Sequence, residues 1–141
     1  MYITRFMPIG ILLLLNSIHG DQILVLEPKP NAKLTRGNKV ELIYRLLQQD
    51  LAYLDFVRVD LLDSVNRTML WNIASTSRKM DNWTRAIKQE WFIPESLPLG
   101  KYTLKFHGNA TFTTIRKTIE TLSKSSIVPI VINRPKKYIF Y

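Results

Sequence analysis

The chain has 141 residues, 46% of them hydrophobic, which suits one domain with a buried core and excludes a disordered polyampholyte. With no cysteine and only two histidines, disulfide stapling, a thiolate nucleophile and a Cys/His metal cluster are excluded by count. The formal net charge of +9 directs attention to acidic partners and bears on association rather than on fold.

The first twenty residues read as a leader. One cation, Arg5, precedes Ile9 to Leu15, which includes five aliphatics in succession, and Asn16 to Gly20 forms a short polar exit. This pattern predicts a secretory signal peptide over residues 1–20, cleaved after Gly20, with Ser17 leaving a second position. The apolar run is less than half of the roughly 20 residues a membrane span needs, so no stable membrane anchor is expected. Outside the cell, polysaccharides and membrane surfaces precede nucleic acid as acidic partners.

The mature chain is expected to be one domain over residues 21–133, with a short basic and aromatic tail over 134–141. Gln22 to Glu27 predicts a first edge strand, closed by Pro28-Lys29-Pro30-Asn31. After a second turn at Leu34 to Asn38, the alternation of Val40, Leu42, Tyr44 and Leu46 predicts a strand. Leu47 to Tyr53 reads as a loop. Leu54 to Leu62 and Met69 to Ala74 predict two paired strands, and the polar Ser75 to Trp83 reads as a second loop.

Ile87, Gln89, Trp91 and Ile93 alternate up to Pro94. Leu97-Pro98-Leu99-Gly100 then turns the chain into a strand with Tyr102, Leu104 and Phe106 on one face and Lys101, Thr103 and Lys105 on the other. A Tyr entering a strand just after such a turn predicts a tyrosine corner built by Pro98, Gly100 and Tyr102. Gly108-Asn109 predicts a tight hairpin turn, with 110–120 as the return strand. Pro129, inside the apolar run Ile127 to Ile132, confines that strand to a sheet edge. Together these elements predict an all-β fold, an immunoglobulin- or fibronectin III-like β-sandwich of about seven antiparallel strands.

Three sequons, at Asn66, Asn82 and Asn109, fall at expected turns or loops and predict a glycoprotein. Catalytic signals are sparse. Beyond the leader His107 is the one histidine, so any nucleophile and base pair would rest on it. Among the acids Glu41, Asp60, Glu90 and Glu95, two could converge for glycoside hydrolysis, although strand faces and turns are the plainer reading. Trp71 and Trp91 alternate with aliphatics and are expected in the core. Trp83, in a polar loop, is the candidate for stacking on a sugar. No catalytic residue, cofactor or metal is expected.

Leu26-Glu27-Pro28, Val40-Glu41-Leu42, Trp91-Phe92-Ile93-Pro94, Leu97 to Tyr102 and His107 to Thr111 resemble the fungal serine/threonine-rich glycosylphosphatidylinositol-anchored membrane family. That family is similar to the amino-terminal domain of yeast cell-wall synthesis proteins implicated in β-1,6-glucan assembly. The resemblance covers roughly residues 22 to 115 and implies a secreted, glycosylated, immunoglobulin-like domain at the cell wall, with no catalytic residues. The ending Arg134 to Tyr141 departs from the small residues, spacer and apolar tail that such an anchor signal requires.

The expected function is a non-enzymatic glycoprotein of the fungal cell surface or wall, contributing to β-glucan organisation and contacting cell-wall polysaccharide or acidic glycan. Lys101, Lys105, Arg116, Lys136 and Lys137 would meet acidic wall components. The alternative is a lectin-like or host-directed binding module, and a glycan-processing enzyme is the third reading.

Overall fold

The computed structural model describes residues 23–47, 53–77, 85–113 and 115–137. Eight strands follow one another, β1 (Ile23–Glu27), β2 (Ala32–Thr35), β3 (Lys39–Leu46), β4 (Tyr53–Asp63), β5 (Met69–Ser77), β6 (Ile87–Phe92), β7 (Gly100–Thr113) and β8 (Ile119–Asn133), with no helix among the described residues. They form a three-stranded sheet, β1-β3-β6, and a five-stranded sheet, β2-β8-β7-β4-β5.

Alternation decides which faces meet. In β3 Leu42, Tyr44 and Leu46 are buried while Lys39, Glu41 and Arg45 are exposed, because consecutive side chains leave a strand on opposite faces. In β7 Tyr102, Leu104 and Phe106 are buried in the same way. The two inner faces share one core, in which Ile23, Leu42, Trp91 and Ile93 meet Val57, Val59, Leu104, Phe106, Ile130 and Ile132. Each such burial contributes about 1.5–3 kcal/mol. Tyr44 and Phe106 join the sheets through an edge-to-face contact, ring centroids 5.4 Å apart.

The Tyr44 hydroxyl donates to Thr76 Oγ1 on β5 at 3.0 Å. Gln89 on β6 also bonds Thr76, so polar groups latch one side of the two sheets. Burial pushes the Tyr44 phenol above its ordinary pKa, and the Thr76 bond opposes that shift.

Several local expectations are corrected. There are eight strands rather than about seven, and β2 pairs with β8 in parallel, Ala32 opposite Ile130 through Thr35 opposite Asn133. The chain thus leaves one sheet at Glu27 and enters the other at Ala32. Strand β8 is an edge only in part, since β2 covers its outer side from Ile130 to Asn133 and leaves that side open up to Pro129. Pro129 is tolerated because β2 begins only at the next register position. Its carbonyl accepts the Asn31 N–H at 2.7 Å, and on a strand the missing N–H of the same residue would point to that same side.

Gly108-Asn109 is not a turn. Both residues lie inside β7, paired with β8 at Lys124 and Ser123, and the hairpin reverses between Thr113 and Ile119, where Lys117 takes a φ of 59°. Gly108 serves a close approach instead, since a Cβ there would stand 2.1 Å from the Phe56 carbonyl oxygen. The β4–β7 register shifts at that point, between Leu54 and Phe56, which is how a glycine inside a strand commonly marks a bulge. Ser75, Thr76 and Ser77 belong to β5 rather than to a loop. Trp91 is buried as expected, whereas Trp71 and Val40 are half-buried and pack against the core margin.

Candidate functional site

The outer face of the five-stranded sheet holds the densest polar arrangement among the described residues. Asp60 points outward on β4 yet is only 3% exposed, and a buried carboxylate persists only where donors satisfy it. Asn72 Nδ2 on β5 donates to Asp60 Oδ1 at 2.8 Å, His107 Nε2 on β7 donates to Oδ2 at 2.6 Å, and Arg58 lies 3.3 Å from Oδ1. Burial alone would raise the Asp60 pKa. The Asn72 and His107 bonds and the Arg58 charge together outweigh it and hold the carboxyl below its ordinary 3.8.

Serine, histidine and aspartate lie on neighbouring strands here, since Ser125 stands opposite His107 in the β7–β8 register. A nucleophile needs a hydrogen bond to the imidazole and donors for a developing oxyanion. The described side chains include no Ser125–His107 bond, and His107 Nε2 is engaged by Asp60. The arrangement positions an acid and orients a histidine on an open sheet.

The other acids lie apart from it. Glu41 and Glu90 face each other across β3 and β6, on the exposed side of the smaller sheet rather than in a cleft. Glu90 is paired with Lys39 at 2.7 Å, and that bond raises the Lys39 pKa. Glu95 follows β6 in the turn toward β7. Among the described residues no three His, Cys, Asp or Glu side chains come together as a metal site.

Tyr102 is buried, and its hydroxyl donates to the Pro98 carbonyl at 2.7 Å, the hydrogen bond that defines a tyrosine corner. Burial raises the Tyr102 phenol pKa, with Asp63 adding to the effect. Gly100 opens β7 at a φ of 144°, a backbone conformation that favours glycine. An apolar hollow lies beside this corner, lined in part by Val65, Leu70, Trp71, Pro98 and Leu99.

Of the sequon asparagines, Asn66 is exposed in the β4–β5 turn. Asn109 is half-buried within β7, where its Oδ1 accepts the Ser123 hydroxyl at 3.1 Å. Asn82, Trp83 and the Gly20 cleavage position lie outside the described residues. Lys101, Arg116, Lys136 and Lys137 are exposed and Lys105 is half-buried. The sequence gives no sign that Arg58, Asn72 and His107, from three strands, converge on Asp60. The nearest hint is an opposite-charge pair, Arg58 and Asp60, at alternate positions among the apolar residues Phe56 to Leu62.

No protein-family model and no curated protein matches this chain.

Proposed function

We propose that this chain is a secreted, non-enzymatic glycoprotein of the fungal cell surface or wall, an immunoglobulin- or fibronectin III-like sandwich that contacts acidic wall glycan and contributes to β-glucan organisation. The observation that carries the reading is an asymmetry of charge. Between Gly100 and Lys137 the chain has eight Lys and Arg and a single acid, Glu120. None of those cations forms an ion pair with a described acid. Unpaired surface cations attract polyanions over about 8 to 10 Å at ordinary ionic strength.

Further support comes from the leader, from the exposed sequon at Asn66, and from the fungal wall family that the strand and corner motifs resemble. For the fold itself, the strand orders β1-β3-β6 and β2-β8-β7-β4-β5 and the Tyr102 corner suit an immunoglobulin-like sandwich. Retention of the mature chain on intact fungal walls should weaken as salt rises, while binding to purified neutral β-glucan should be weak. Salt-insensitive β-glucan binding that is lost in Trp83→Ala would replace this reading with the lectin-like one. Retention by neither material overturns the wall assignment.

A further inference from the structure

Beside the Asp60 network, the β4–β5 turn borders a groove of about 450 Å³ on the outer face of the five-stranded sheet, lined by Arg67, Thr103, Lys105, Ser125, Ser126 and Ile127 with Leu62 at its base. We propose that this groove binds a saccharide carrying a carboxylate or sulfate, with Arg67 and Lys105 on the anionic group and the Thr103 and Ser125 hydroxyls on the sugar. The assignment deepens the proposed function and rests on the reading of this domain as a binder of acidic glycan.

Three observations converge on it. The first is that the groove's two cations are uncommitted. Lys105 stands directly opposite Asp60 in the β4–β7 register, yet Asp60 is already engaged by Asn72, His107 and Arg58, and the lining contains no acid. A cation kept beside a carboxylate that is filled by other donors remains available to an incoming anion.

The second is the backbone at Arg67, which has a φ of 51°. Glycine or asparagine adopts that left-handed conformation readily, and a long side chain does so under strain. The turn holds it there, because Arg67 N donates to the Asp63 carbonyl at 2.9 Å and Asp63 N to the Thr68 carbonyl at 3.0 Å. The third is the mixture of surfaces. Serine and threonine hydroxyls match sugar hydroxyls, and Ile127, 53% exposed, offers an apolar wall to the C–H face of a ring. A bare inorganic anion would use only the cations.

The test measures binding of the full chain to polygalacturonate, dextran sulfate and uncharged dextran at low salt. Wild type should bind at least one charged polymer and not dextran, and the polymer it prefers distinguishes carboxylate from sulfate. Arg67→Gln/Lys105→Gln should weaken binding by about tenfold or more. Arg45→Gln/Lys88→Gln, which removes the same charge from the exposed face of the three-stranded sheet, should weaken it less than about twofold.

Equal weakening by the two pairs would overturn the groove while leaving the acidic-glycan reading intact. Failure of wild type to bind either charged polymer would overturn both. Arg67→Gly supplies the folding control. It relieves the strained φ and should raise the melting temperature by a few degrees while binding falls, so the loss cannot come from misfolding. Wild-type affinity in Arg67→Gly would remove Arg67 from the site and end the proposal.

Discussion

The two sheets are specified in different ways. In the three-stranded sheet plain alternation suffices. Apolar residues of β3 and β6 turn inward, and on the exposed side Lys39 pairs with Glu90, the acid that faces Glu41. The five-stranded sheet depends on particular positions instead: a buried acid at Asp60, a close approach at Gly108 and a corner at Tyr102. A sheet built by alternation alone tolerates change at its surface, whereas one built around such positions does not.

The largest expected effect falls on Asp60. Asp60→Ala leaves the Asn72, His107 and Arg58 donors without their acceptor and should cost about 3 kcal/mol in chemical denaturation. A loss below about 1 kcal/mol would erase the distinction between the sheets. Gly108→Ala should cost about 2 kcal/mol, because the added methyl would sit against the Phe56 carbonyl and force β4 and β7 apart. An unchanged denaturation midpoint there would mean that the bulge yields freely. Tyr102→Phe keeps the buried ring and loses only the bond to Pro98, so about 1 kcal/mol is expected.

The pH dependence of stability is a smaller and subtler effect. Asp60 titrates lower in the folded chain than its ordinary 3.8, so between those two values the unfolded chain binds more protons. The stability it contributes is therefore fully present above its ordinary value and is lost as pH falls through the folded one. Denaturation midpoints measured across that acid range should slope less steeply in Asp60→Asn than in wild type. Smallest of all, Glu90→Gln on the exposed face of the other sheet should leave the midpoint within measurement error.

The same contrast explains how much could be read from the sequence. Strands β3, β6 and the first half of β7 were legible because each has one buried face, and period-two alternation records that directly. The Leu-Pro-Leu-Gly-Lys-Tyr run likewise marked where the chain turns into β7. Gly108-Asn109 misled because glycine followed by asparagine suits a hairpin turn. The need for that glycine arises from Phe56, more than fifty residues earlier. Strand β2 escaped notice because four residues, Ala32 to Thr35, are too short for a period, and their partner lies at the far end of the chain. The Asp60 cluster was illegible for the same reason, since Asn72 and His107 reach it from strands whose register no local pattern encodes.

The pairing of β2 with β8 also sets an order of assembly. During vectorial synthesis β1 finds β3 within about twenty residues, so one edge of the fold can form early. Strand β2 follows β1 almost at once but pairs only with β8 among the described residues, and β8 runs to Asn133. Contacts of such long sequence separation form slowly, because the intervening chain must first be brought into place. The start of the domain therefore waits for its end, and a nascent chain halted before Ile130 would carry Ala32 to Thr35 as an unpaired strand, open to pairing with another chain.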